Sequence, residues 1–163
     1  MKFLLLNRHA NSPWKGQSVS DHDRELDEVG FNEADLMGKR LLDKGVSFDS
    51  MVTSSALRAL TTCQLIASNI KFDIERIDIN KNIYGANCED LMKIIRKTDD
   101  RIGSLAIFGH NPTLHILSES IYGQAISSFP PCSMIYVRFD SINWDSCFDC
   151  DKKTIFFDYP SNV

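Results

Sequence analysis

A chain of 163 residues, 43% hydrophobic and 25% charged, has the size and balance of one globular domain spanning residues 1–163, with enough apolar surface for a packed core. Its formal net charge of -4, with no run of Lys and Arg, argues against nucleic-acid binding, so any anion site must be a local pocket of positive charge. Five scattered cysteines point to a reducing cytoplasm, no stretch approaches transmembrane length, and the apolar start stops at Leu6, too early for a signal peptide.

The first element is the continuous apolar run Phe3 to Leu6, which predicts a strand covered on both faces of a parallel sheet. It ends at Asn7, Arg8 and His9. Taken alone, Arg8 and His9 read either as a polar cap in solvent or as side chains handed to a ligand crevice at a strand's carboxyl end. Ala10 to Arg24, rich in Asn, Ser, Pro, Gly and Asp, predicts a loop lying over whatever His9 faces. Leu26 and Gly30 lead into a helix over roughly Phe31 to Lys44, with Ala34, Met37, Gly38 and Leu41 on one face and Gly45 as its stop.

Phe48 to Thr53 is the next β-compatible run, followed by a helix through Leu57, Leu60, Leu65 and Ile66 that Ser54 or Ser55 can cap. Arg58 falls in or near its first turn, where its charge opposes the helix dipole and a bound anion would explain it. Phe72 to Ile79 alternates apolar with charged residues, with a slip at Glu75-Arg76, and predicts an edge strand with one wet face. Asn87 is placed to cap a helix carrying Leu91, Ile94 and Ile95.

Leu105 to Phe108 predicts a second buried strand, ending at Gly109-His110-Asn111-Pro112. Asn111 as cap and Pro112 at the first helical position then begin a helix through Leu114, Ile116, Leu117 and Ile121. Met134 to Phe139 and Thr154 to Phe157 supply two last strands. Cys147 and Cys150 have CxxC spacing, but no second pair or nearby His completes a zinc site, and no metal is expected. The alternation predicts an α/β fold, a mostly parallel central sheet with helices on both faces.

Three strand-like runs end alike, Phe3 to Leu6 at Arg8-His9, Met51-Val52 at Ser54 and Arg58, and Leu105 to Phe108 at His110. In a mostly parallel sheet their carboxyl ends share one edge, so two Arg and two His converge on one crevice. Forked guanidiniums bind phosphoryl oxygens, and a histidine can attack phosphorus or donate to an equatorial oxygen. Neighbouring cations keep an imidazole unprotonated, hence nucleophilic, and supply the charge that metal ions provide elsewhere.

The set Arg8-His9-Ala10, Asn11-Ser12-Pro13-Trp14, Asp23-Arg24-Glu25-Leu26 before Gly30, Ser54 through Arg58-Ala59 to Thr62, and Gly109-His110-Asn111-Pro112 resembles the histidine phosphatase superfamily, and most of all its SixA-type phosphohistidine phosphatases. The resemblance covers residue 2 to about residue 144. It implies a three-layer, phosphoglycerate mutase-like fold. It implies His9 as the nucleophile that forms a phosphohistidine intermediate, with Arg8, Arg58 and His110 binding the phosphoryl group and no cofactor.

Arg24 matches the Arg of the family's Arg-Pro-Leu segment at the pocket mouth, although Glu25 stands where Pro is usual, and Ser12 lies in the loop counted with the substrate-binding residues. Ala10 replaces the Gly of the superfamily's Arg-His-Gly motif. Larger relatives carry an acid on an inserted segment; here that stretch is Ile83 to Asp90, and Glu89 is its candidate acid or else a solvent-facing helix residue. His22 reads as a loop residue and His115 as packing or surface.

The implied activity is hydrolysis of phosphohistidine on a protein, the partner being a phosphotransfer domain or a phosphotransferase-system protein. Two other readings stand beside it: a small-molecule phosphomonoesterase and a non-catalytic phosphate-binding module.

Overall fold

The computed structural model describes residues 1–14, 16 and 18–162. Ten principal elements follow one another: β1 Lys2–Arg8, α1 Glu28–Asp43, β2 Ser50–Ser54, α2 Leu57–Asn69, β3 Asp78–Asn80, α3 Cys88–Arg96, β4 Ser104–Gly109, α4 Thr113–Tyr122, β5 Met134–Phe139 and β6 Lys152–Asp158. The six strands form one sheet in the order β3-β2-β4-β1-β5-β6. The pairings β3-β2, β2-β4 and β4-β1 are parallel, while β5 and β6 add antiparallel at one side. This is the expected α/β architecture, and no helix among the described residues is long and apolar enough to cross a membrane.

Period-two alternation divides the core. Leu4 and Leu6 of β1, with Leu105 and Ile107 of β4, pack against α3 and α4 through Leu91, Ile95, Leu114 and Leu117. Leu5, Met51, Ala106 and Phe108 face the other way onto Ala34, Met37 and Leu41 of α1 and Cys63 and Ile66 of α2. Because both faces are covered, the central strands read as unbroken apolar runs.

Several boundaries differ from the sequence expectation. Helix α1 begins at Glu28, because the Asp27 side chain accepts from the Gly30 backbone N–H and caps it. Gly30 therefore lies inside the helix. Neither Ser54 nor Ser55 caps α2; Ala56 occupies that position without a side-chain bond. The N-cap of α4 is Pro112, while Asn111 turns its amide to the Phe129 carbonyl at 3.0 Å.

Phe72 to Ile79 is not one strand. A 3-10 turn spans Ile74–Arg76, with the Asp73 side chain accepting from Glu75 N–H, and only Asp78–Asn80 joins the sheet. Asn87 does cap α3, accepting from Asp90 N–H at 2.9 Å.

The loop after His9 is fastened to the start of α1. Asn11 N–H donates to Glu33 Oε2 at 2.7 Å, its amide donates to Asp27 at 3.0 Å, and its carbonyl lies against Gly30, where an added Cβ would come within 2.1 Å of that oxygen. Gly30→Ala is expected to lower stability by about 1–3 kcal/mol, the overpacking cost exceeding alanine's helix preference. Urea unfolding checks this, and a midpoint equal to wild type would show that the Asn11 turn yields freely.

Candidate active site

The carboxyl ends of β1, β4 and β2 lie side by side, since Arg8 pairs with Gly109 and Thr53 with Phe108 across the ladders. Arg8 ends β1, His9 follows it, His110 follows β4, and Arg58 stands in the first turn of α2 directly after β2. The expected convergence is present. The His9 and His110 rings lie 5.3 Å apart between centroids. Arg58 and Arg8 act electrostatically on both rings.

His9 is 8% exposed, and its Nδ1 lies 2.7 Å from the Ala10 carbonyl. A carbonyl only accepts, so Nδ1 carries the proton and Nε2 holds the free lone pair. Burial, then His110, Arg58 and Arg8, press the His9 pKa down to about 3 against the Ala10 bond. Burial foremost, with Arg58 next, lowers that of His110 to about 4. Both rings are neutral at pH 7.

His110 Nε2 lies 2.8 Å from Ser54 Oγ, which also accepts from Ala56 N–H at 3.2 Å. Arg8 Nη1 donates to the Phe129 carbonyl at 2.9 Å. Arg58 is held end-on, with Nη1 on the Asp21 carbonyl at 2.6 Å and Nη2 on Asp21 Oδ2 at 3.2 Å. The Nε atoms of Arg8, Arg24 and Arg58 and Nδ1 of His110 are buried and have no acceptor among the described residues. Buried polar atoms without a partner are costly unless a ligand meets them, and Arg58 and His110 bring two of these to one cavity.

Asp21, Arg58, Tyr84, His110 and Asn111 line a cavity of about 500 Å³. A larger trough of about 780 Å³ starts from the shared Tyr84, Gly85 and Ala86 and runs along α3 past Lys93 and Lys97. Of the cationic cluster, Arg58 and His110 line the smaller one, while Arg24 lines a neighbouring pocket with Trp14 and Leu26. No group of three or more His, Cys, Asp or Glu side chains that could hold a metal ion occurs among the described residues.

The remaining expected residues are placed as follows. Arg24 stands at the rim, with Nη2 on Asp21 Oδ1 at 3.1 Å and Nη1 on the Ser12 carbonyl. The Ser12 hydroxyl is given to the Glu25 carbonyl at 2.6 Å, so Ser12 braces the loop and offers no hydroxyl to a substrate. The Glu89 side chain is 78% exposed and pairs with Lys93 at 2.9 Å, which holds its carboxyl below the usual range. It does not line the cavity with His110 and stands on the solvent side of α3.

Sequence reasoning missed Asp21 and Tyr84. Asp21 joins Arg58 and Arg24, and the Tyr84 hydroxyl donates to its Oδ2 at 2.7 Å. Nothing local in Ser20-Asp21-His22-Asp23 marks the first of these as different from any turn carboxylate. Missed too was Glu33, whose oxygen fixes the loop behind Arg8.

A sequence model of the histidine phosphatase superfamily (branch 1) matches residues 4–97. The 2,3-bisphosphoglycerate-dependent phosphoglycerate mutase of Rhizobium meliloti (strain 1021) is 43% identical over 88 residues, 50% of this chain and 42% of that protein. The phosphoglycerate mutase of Schizosaccharomyces pombe is 36% identical over 88 residues, again 50% and 42%. The matched stretch thus spans less than half the length of these relatives.

Among solved structures, an Agrobacterium tumefaciens protein assigned as the phosphohistidine phosphatase SixA superposes with a TM-score of 0.83 at 25% identity, covering 98% of both chains. A protein histidine phosphatase SixA complexed with tungstate gives 0.82 at 18% identity, again 98% of both, a likeness of fold. The family match covers more than half of the chain and includes the strand end that carries Arg8 and His9, and the chain belongs to the histidine phosphatase superfamily.

Proposed function

We propose that the protein is a phosphatase that hydrolyses phosphohistidine on a protein through a covalent phospho-His9 intermediate, without a metal ion. The observation that carries this is the buried, neutral His9 with Nε2 free, beside the unpartnered donors of Arg8, Arg58 and His110. His9 Nε2 attacks phosphorus and the substrate's N–P bond breaks, its electron pair staying on the departing imidazole nitrogen. Arg8 and Arg58 offset the charge on the phosphoryl oxygens. With Ser54 donating to Nε2, the neutral His110 ring carries its proton on Nδ1 and gives a hydrogen bond to the same group. Water then attacks phospho-His9, releasing phosphate and restoring the imidazole.

The leaving group favours a phosphoramidate. Of the carboxyls near the cavity, Asp21 is ionised, held below its usual range by the Tyr84 hydroxyl, Arg58 and Arg24, and Glu89 points away. An alkoxide needs a proton from an acid, whereas an imidazole already protonated on its other nitrogen leaves neutral. Coverage of 98% of both chains in the SixA-like superposition supports the same reading.

The test compares turnover of a phosphorylated phosphotransfer domain, a phosphorylated phosphotransferase-system protein and sugar phosphates, with His9→Ala as control. We expect His9-dependent release from at least one phosphohistidine protein, about 10²-fold or more faster in kcat/KM than from sugar phosphates, the factor that positioned acid catalysis supplies elsewhere. A preference for sugar phosphates would instead support a small-molecule phosphomonoesterase, the reading favoured by the mutase relatives.

A further inference from the structure

We infer that Tyr84 is a positioning residue for the anion cradle, fixing Asp21 so that Arg58 is gripped from behind and keeps its Nε edge for the phosphoryl group. This rests on reading the cationic cluster as a phosphoryl site. The geometry runs through one carboxylate. Asp21 Oδ2 receives Arg58 Nη2 at 3.2 Å and the Tyr84 hydroxyl at 2.7 Å, and Oδ1 receives Arg24 Nη2 at 3.1 Å. Arg58 Nη1 is bound by the Asp21 backbone carbonyl at 2.6 Å. Both terminal nitrogens of Arg58 are therefore engaged end-on, and the side-on edge that includes Nε has no protein acceptor among the described residues.

Left to itself, Asp21 would not hold that geometry. Its side chain is 44% exposed although its Arg58 partner is 6% exposed, so water competes for the carboxylate on its open side. Tyr84, itself 38% exposed, adds a constraint through its hydroxyl and two ring contacts. The ring stands edge-on to His110 at 5.7 Å and to His22 at 5.0 Å. His22 is in turn tied to the β2–α2 turn, by Nε2 to Ser55 Oγ at 2.9 Å and by its carbonyl to Leu57 N–H at 3.0 Å.

The chain around Tyr84 serves the same end. Ile83 before it is buried in the core, and Gly85 after it takes φ 76°, a left-handed conformation that suits glycine, so the segment turns sharply and sets the phenol over the pocket. Arg58, Asp21, Tyr84, His22 and Ser55 form a chain of contacts that starts and ends on the β2–α2 segment. The stretch from Ile83 to Asp90 thus supplies a hydroxyl that donates a hydrogen bond to the Asp21 carboxylate.

The experiment measures binding of tungstate by titration calorimetry and turnover of p-nitrophenyl phosphate for wild type, Tyr84→Phe, Asp21→Asn and the double variant. Tyr84→Phe keeps the ring and removes only the hydroxyl. Each single change is expected to weaken tungstate binding about 5-fold and to lower kcat/KM by at least as much, with the thermal midpoint unchanged. The double variant should lose little more than either single one, the sign of residues acting as one unit.

Wild-type affinity in Tyr84→Phe, or losses that multiply in the double variant, would overturn the inference while leaving the phosphatase reading intact. Failure of wild type to bind tungstate would overturn both. Coupled losses of affinity in a protein that turns over no phosphorylated substrate would support the inference and reject the phosphatase reading.

Discussion

His9→Ala should reduce turnover of every phosphorylated substrate by at least about 10³-fold, because the variant lacks the atom to which phosphorus must bond. The expectation follows from how the ring is held. Its Nδ1 is committed to the Ala10 carbonyl at 2.7 Å, so the ring cannot rotate to offer either nitrogen, and only Nε2 is available to attack. His110 is not equivalent to it, since its Nε2 is engaged with Ser54 Oγ at 2.8 Å. The loss should fall on kcat, with tungstate affinity largely retained, because Arg8, Arg58 and His110 still face the anion. Rapid acid-free quenching after addition of a labelled phosphodonor should trap label on wild type and none on the variant. Equal turnover by the two proteins would remove His9 from the chemistry.

The sequence showed much of this centre, and the reason lies in where the information resides. Phe3 to Leu6 and Leu105 to Phe108 are unbroken apolar runs because helices cover both of their faces, and Arg8-His9 and His110 stand immediately after them. Parallel pairing then places those strand ends together without further information. Arg58 was legible because a cation in a helix's first turn contradicts the local dipole.

What was not legible depends on contacts made across the chain. Asp21 meets Arg58 37 positions later and Tyr84 63 positions later. Phe72 to Ile79 shows the converse error. Its alternation looked like a strand, but Ile74 and Ile79 are 48% and 50% exposed, and Asp73 rewarded a turn by bonding Glu75 N–H. A two-residue period has force only where a sheet supplies a buried face, and at this edge only three residues join the sheet, none of them buried.

Acidification should destabilise the protein through the two buried imidazoles of the candidate site. His9 and His110 titrate at about 3 and about 4 when folded, chiefly because burial disfavours the charged ring, against an ordinary 6.5 in the unfolded chain. Because the folded values lie lower, the unfolded chain binds the extra protons, and stability is complete above pH 6.5 and lost as pH falls toward 4. In the middle of that window each ring contributes a slope of about 1.4 kcal/mol per pH unit. Between pH 7 and pH 5 the two together should remove about 4 kcal/mol, a large share of the roughly 5–15 kcal/mol typical of a domain.

Carboxylates held low by their partners, such as Asp99 at about 2, add their loss only below that range. Urea unfolding at pH 7, 6 and 5 measures the slope, and His9→Ala should flatten it by about half. A flat profile in wild type would mean that the rings are not buried in the neutral form. For activity the consequence is that the acid limb lies well below pH 6.5, since burial keeps His9 unprotonated far below the pH at which a free imidazole takes up its proton.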